Sequence, residues 1–380
     1  MDNRRNKIQN TIVGISQGDY NGISYEIVLK TFSDKRMFDF STNVLYGSAE
    51  IANFFLKNLG MSNYALNITK NISNLKSNKL NIITINNNDL DIELGKSTRK
   101  AGEMAFNSLE AAIEDLKKRK INVLVTAPIN KDNIQSDKFQ FAGHTGYLAK
   151  EFNTEDYLML MVQQNLRIGV ITDHIPLKDV AESITTELID KKIKVLNRSL
   201  EYDFAIRKPK IAILGLNPHA SDNGLIGTEE KEIISPAIKK AQKEGMLVYG
   251  PYPADGFFAS ENYKNFDGIL AMYHDQGLIP FKTLAFKDGV NFTAGLPVVR
   301  TSPAHGTAYD LSGKNLASPD SFRQAVYLGV DIYKNRKTYD EFSKNPLKSA
   351  LKKINHRSIK DEDASILPDE NGDKSSGLPY

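Results

Sequence analysis

The chain has 380 residues, with no Cys, no Trp and only 6 His. Without Cys there are no disulfides, thiolate nucleophiles or Cys-held zinc and iron–sulfur centres, so any transition metal must be held by His and carboxylates. Lys plus Arg (49) nearly balances Asp plus Glu (46), and a net charge of +3 argues against nucleic acid as the partner.

The length suits about two domains, or one large α/β unit with two lobes. The first apolar stretch, Ile12-Val13-Gly14-Ile15, is too short for a signal peptide and is expected to form a strand. A helix is expected to open around Glu26-Ile27-Val28-Leu29-Lys30. A second strand spans 43–47, and Ser48 is placed to cap the following helix. Residues 62–93 are Asn-rich and broken, and are expected to be peripheral. Residues 98–119 form an amphipathic helix, with Ala101, Ala105, Leu109, Ala112, Ile113 and Leu116 at helical spacing.

Four apolar strands come next, over 121–126, 166–172, 211–216 and 266–272. Helical segments intervene around 178–197 and 229–244, with Pro236 as an interruption of the second. Continuous apolar strands are buried on both faces, which predicts an α/β protein with a substantially parallel sheet. A last helix starts near Asp320, and a further amphipathic piece ends before Leu351. The tail, 360–380, is expected to be disordered. No run of 18 apolar residues exists, which excludes a helical membrane span; the expected location is the cytoplasm.

Three histidines, His174, His219 and His274, each lie just beyond an apolar strand. Loops at the carboxyl ends of strands line the ligand crevice of an open α/β sheet. Three imidazoles brought together there would hold a divalent metal and leave a position open. Asp173 and Asp275 are candidate orienters or further ligands. The plain alternative is three unrelated surface residues. Lys282, Asn291 and Arg300 lie in a Gly/Pro-rich stretch and suit an anionic group. Gly143-His144-Thr145-Gly146 is a further candidate binding loop. No G-x-G-x-x-G, P-loop or nucleophile elbow is present. The residues by themselves indicate a metal-dependent α/β enzyme for a small anionic substrate, with redox chemistry left open.

Several blocks resemble the 4-hydroxythreonine-4-phosphate dehydrogenase family of pyridoxal phosphate biosynthesis, over roughly residues 11–350. They are Thr126-Ala127-Pro128-Ile129-Asn130-Lys131, Gly143-His144-Thr145, Leu216-Asn217-Pro218-His219-Ala220, Met272 to Lys282, and Asn291 through Arg300 to Asp310. The resemblance implies an isocitrate/isopropylmalate dehydrogenase-like fold: two lobes in α/β/α layers with a cleft between them. The first lobe would comprise 1–127 plus about 305–359, and the second 128–304. It implies His174, His219 and His274 as metal ligands and His144, Thr145, Lys282, Asn291 and Arg300 as substrate contacts. Asp255 and Asp275 would lie near the metal, and with Lys282 they are the candidates for proton transfer. The implied cofactors are a divalent metal (zinc favoured by imidazole, with Mg²⁺, Mn²⁺ or Co²⁺ as alternatives) and NAD or NADP. The implied partners are a phosphorylated substrate, a second copy sharing the active site, and a pathway link to pyridoxine phosphate synthase. The implied reaction oxidises 4-(phosphooxy)-L-threonine and decarboxylates the product to 3-amino-2-oxopropyl phosphate. Relatives act on other phosphorylated hydroxy acids, including threonate and erythronate phosphates.

Three loops depart from the family pattern. Gly18-Asp19-Tyr20-Asn21-Gly22-Ile23-Ser24-Tyr25-Glu26 lacks both Pro of the usual Gly-Asp-Pro-Ala-Gly-Ile-Gly-Pro-Glu. Gly146 stands where Glu is common, and Ala220-Ser221-Asp222 where Ala-Gly-Glu is common. These changes are expected to alter substrate fit while sparing the ligands.

Overall fold

The computed structural model describes residues 10–85 and 91–344. Among them twelve strands form one sheet: β1 (Thr11–Ser16), β2 (Ser41–Gly47), β3 (Asn67–Thr69), β4 (Asn81–Thr84), β5 (Val123–Thr126), β6 (Leu158–Gln163), β7 (Leu166–Val170), β8 (Lys210–Leu214), β9 (Leu247–Tyr252), β10 (Gly268–Ala271), β11 (Val290–Ala294) and β12 (Val299–Pro303). Their order is β3-β4-β2-β1-β5-β12-β11-β6-β7-β10-β8-β9. The helices are α1 (Ser24–Ser33), α2 (Ala49–Asn58), α3 (Arg99–Lys117), α4 (His144–Glu151), α5 (Val180–Ser183), α6 (Thr186–Tyr202), α7 (Ser235–Lys243), α8 (Ala254–Ala259), α9 (His274–Leu284) and α10 (Asp320–Ser343). The expected tail, 360–380, and the piece before Leu351 lie outside the described residues.

The helix starts arise from side-chain chemistry. Ser48 accepts from the N–H groups of Glu50 and Ile51, Thr98 from Ala101, and Thr185 from Leu188. Each satisfies an amide that the helix cannot. Pro236 sits in the first turn of α7, where its missing N–H costs nothing, after a single π turn over Glu230–Ile234.

The sheet is mixed. β11 is antiparallel to both β12 and β6, and β6 is antiparallel to β7. The block β3-β4-β2-β1-β5-β12 is parallel throughout, as is the block β7-β10-β8-β9. Three reversals between them make the two blocks run in opposite directions. The expectation of a substantially parallel sheet therefore holds within each block.

Period-two alternation assigns side chains to the two faces. One face carries Val13, Ile15, Leu45, Val123, Val125, Leu160, Phe292, Ile213 and Leu270, a continuous core under α1, α2, α6, α7 and α10. The opposite face carries two separate clusters. Val44, Tyr46 and Leu124 pack with α3 and α4. Met159, Met161, Ile168, Leu214 and Ile269 pack with α8 and α9. Helices on both faces give the α/β/α layering. The gap between the two clusters is a cleft where the polar residues gather.

The atypical segment 18–26 is core, not cleft. Tyr20 and Tyr25 are fully buried. The Tyr25 hydroxyl donates to Gln17 Oε1 at 2.6 Å and its ring stacks on Phe55. Tyr20 donates to the Asp91 carbonyl, and Asn21 bonds Thr98 and the backbone of Glu93. None of residues 18–26 lines the polar cleft. The lost prolines are answered by hydrogen bonds that tie this loop to residues 91–98.

Candidate active site

The gap between the two clusters is a cleft of about 520 Å³. His144, Thr145, His174, His274, Lys282, Asn291 and Arg300 all line it. They come from six places in the chain: the start of α4, the loop after β7, the two ends of α9, β11 and β12. Asn291 and Arg300 are strand residues on the face between the clusters, not loop residues as the Gly/Pro-rich context suggested. Asn291 pairs with Met161 and Ser302, and Arg300 with Leu124.

The cleft is built for an anion. Arg300 is 2% exposed. Its guanidinium bonds the Thr126 hydroxyl through Nε and Nη2, at 3.1 and 2.6 Å, and the Thr293 hydroxyl through Nη1 at 3.2 Å. Among the described residues no carboxylate pairs with it. Burial pulls its pKa down to about 9, the response of a cation short of compensation. Lys131 and Lys282 also line the cleft, against one carboxylate, Asp173. No side chain caps the N-terminus of α4, which opens into the same space at His144 and Thr145. Free helix N–H groups and three cations form a site for phosphate or carboxylate. Burial, with Arg300 and Lys131 nearby, holds the His144 imidazole well below its ordinary pKa, so it is neutral. Its buried Nε2 has no hydrogen-bond partner among the described residues.

The His174 and His274 rings face one another across this cleft, 5.5 Å between centroids. His274 Nδ1 lies 2.7 Å from Asp275 Oδ1. A carboxylate only accepts, so Nδ1 donates in this contact and the bond orients the ring. Lys131 Nζ lies 3.3 Å from His174 Nε2, where the ammonium is the donor and the ring nitrogen accepts. The ring of His174, and its backbone N–H at 2.6 Å, hold the Asp173 carboxyl at about 2.

His219 and Asp255 do not line this cleft. They occupy the turn Pro218–Gly224 and α8, which pack against one another. Asp275 reaches the cleft only through His274. No group of three His, Asp or Glu side chains converges as a metal site among the described residues. The expected trio thus resolves into a pair in the cleft and one histidine apart. Their strands, β7, β10 and β8, are nonetheless consecutive in the sheet.

Lys131, Thr126, Ser302 and His305 line the cleft without having been singled out as site residues. Thr126 ends β5 and Lys131 follows in the loop, both within the Thr126-to-Lys131 block. His305 donates from Nδ1 to the Gly306 carbonyl at 3.1 Å, leaving a buried, unpartnered Nε2. The signal for Arg300 and Ser302 was the alternation in Val299-Arg300-Thr301-Ser302, a strand pattern with one polar face.

The sequence matches the family model described as pyridoxal phosphate biosynthetic protein PdxA over residues 39–329. The chain belongs to this family. A Bacteroides thetaiotaomicron protein named 4-hydroxythreonine-4-phosphate dehydrogenase is 49% identical over 345 residues, covering 90% of this chain and 93% of its own. An Oceanobacillus iheyensis protein, provisionally named a D-threonate 4-phosphate dehydrogenase, is 35% identical and covers 84% of this chain and 97% of its own. Among solved structures, the 4-hydroxythreonine-4-phosphate dehydrogenase of Klebsiella pneumoniae superposes with a TM-score of 0.75 at 32% identity, covering 86% of this chain and 98% of that one. The α/β fold and the dehydrogenase character of the PdxA family accordingly apply here.

Proposed function

We propose that this chain oxidises the secondary alcohol of 4-(phosphooxy)-L-threonine and decarboxylates the resulting 3-oxo acid to 3-amino-2-oxopropyl phosphate, in the formation of pyridoxine phosphate. The observation that carries this is the single cleft in which Arg300, Lys131, Lys282 and the open end of α4 adjoin the imidazoles of His174 and His274. A substrate with a phosphate at one end and a carboxylate at the other would find three cations and a helix N-terminus in that one cleft. The relatives named for this activity support the choice of substrate.

The donor set fits a divalent metal: the imidazoles of His174 and His274, the latter oriented by Asp275, stand in one cleft beside the Asp173 carboxylate. His219 would complete it. A divalent metal held by these residues would supply Lewis-acid polarisation of the substrate oxygen, and a nicotinamide, NAD or NADP, would be the hydride acceptor. Zinc is the favoured ion for imidazole donors. Arg300 and the α4 amides hold the anionic ends, which fixes the alcohol carbon in the cleft. After oxidation the C1–C2 bond breaks, CO₂ leaves, and C2 takes a proton. Of Lys282, Asp255 and Asp275, Lys282 alone lines the cleft, and we assign it that proton transfer.

Because His219 and Asp255 stand together outside the cleft, we further propose a homodimer in which one copy completes the other's site. Exposed apolar residues flank the relevant segments: Ile175 and Leu177 after His174, Leu225 and Ile226 after His219, and Ile279 on α9. Such a patch beside a site suits a subunit interface. The two lobes of the expected division would close over the cleft. NAD(P)H formation, assayed on metal-defined protein with both cofactors, tests the function. The highest kcat/KM should fall on 4-(phosphooxy)-L-threonine. A higher value on threonate or erythronate 4-phosphate would assign the chain to that branch of the family instead.

A further inference from the structure

The backbone leading to His219 is pinned by side chains that never reach the cleft. Glu230 is 3% exposed. Its Oε1 accepts from the backbone N–H groups of Leu216 and Asn217, at 2.8 and 2.7 Å. Its Oε2 accepts from Asn217 Nδ2 at 3.0 Å, and the same amide donates to Glu229 at 2.7 Å. Gln276, two residues beyond His274, accepts from the Met272 N–H and donates to the Gly215 carbonyl, both at 2.7 Å. Residues 215, 216 and 217 are each held. Gln276 also joins the end of β8 to the end of β10, and so the approach to His219 to the approach to His274.

The turn just beyond this pinned segment is unfavourable by itself. His219, Ala220, Ser221, Asp222 and Asn223 have φ of 53°, 49°, 66°, 44° and 58°. Five consecutive residues with a Cβ thus make a left-handed turn, a conformation that such residues adopt singly and rarely. It persists only where the surroundings over-determine it. A buried carboxylate without a cationic partner is also unfavourable, and no Lys or Arg pairs with Glu230 among the described residues. Both costs fall at one place, and together they fix the direction in which His219 leaves the sheet.

We propose that Glu230, supported by Gln276, is a positioning residue that aims His219 at the metal. This rests on His219 being a metal ligand. The test uses the full-length chain, stripped of metal by chelation and titrated with Co²⁺ alone, read by visible absorption. Urea unfolding of the metal-free chain runs in parallel. Glu230→Gln should weaken Co²⁺ binding about tenfold, the usual cost of losing an outer support of a ligand, and alter the visible band. In a His219→Ala background the same change should have no further effect. Gln276→Glu keeps the Met272 contact and loses the donation to Gly215. It should shift binding the same way, and it serves if Glu230→Gln does not fold. Unchanged Co²⁺ affinity with a lowered urea midpoint would reduce Glu230 to a structural role and overturn the proposal. So would an equal loss with and without His219. If His219→Ala itself binds Co²⁺ like the wild type, the ligand assignment fails and the proposal falls with it.

Discussion

Arg300 carries a charge that no carboxylate among the described residues neutralises. Two threonine hydroxyls hold its guanidinium at the cleft, and the counter-charge is what the proposed anionic substrate would supply. The same field acts on its neighbour: His144 is held neutral by burial and by the cations Arg300 and Lys131. His305 is shifted in the same direction by burial. These two shifts fix a pH dependence of stability. The unfolded chain takes up protons at both histidines below pH 6.5, while the folded chain resists until a lower pH. The contribution is complete above 6.5 and is lost as pH falls, by roughly 1 kcal/mol per pH unit per histidine between the two pKa values. Urea midpoints measured from pH 7.5 to 5 should therefore fall more steeply for the wild type than for His144→Asn. Parallel curves for the two proteins would mean that His144 titrates normally.

At the scale of elements, the turn after β8 gives the clearest case. Ser221 has φ of 66° and is buried, at a position where the family pattern commonly has Gly. A side chain in this region costs about 1 kcal/mol relative to Gly. Ser221→Gly should raise stability by up to about 1 kcal/mol in urea unfolding, with part of the gain offset by greater freedom in the unfolded chain. A lower midpoint would show that the serine makes a compensating contact. Such a turn was not legible in the sequence: His219, Asp222 and Asn223 tolerate a left-handed backbone singly, but no pattern marks five such residues in a row. β1, β2, β5, β7, β8 and β10 were legible, since each holds an apolar stretch buried on two faces. β11 and β12 were not, because their cleft-facing polar residues make them look like loop. Their apolar partners, Val290, Phe292, Val299 and the buried Thr301, face the core and complete the alternation.

For the whole molecule, the sequence showed three histidines at strand ends but not the order of the strands that carry them. Local patterns encode which face of a strand is apolar, whereas β7-β10-β8 adjacency is a tertiary fact. Among the described residues the three histidines do not converge: His174 and His274 line the cleft with Arg300 and Lys282, and His219 lies outside it. The proposed homodimer with shared sites makes a prediction that a self-contained site does not. His174→Ala damages a chain's own cleft, and His219→Ala damages what that chain lends to its partner. Each variant alone should be nearly inactive. Co-refolded in equal amounts, half of the dimers are mixed, and each mixed dimer holds one cleft with intact His174 facing a copy with intact His219. Activity should return to about a quarter of the wild-type value, on the random-pairing count for a two-fold dimer. If His219 serves its own chain's cleft, every site in the mixed dimer lacks one ligand, and mixing the two variants restores nothing.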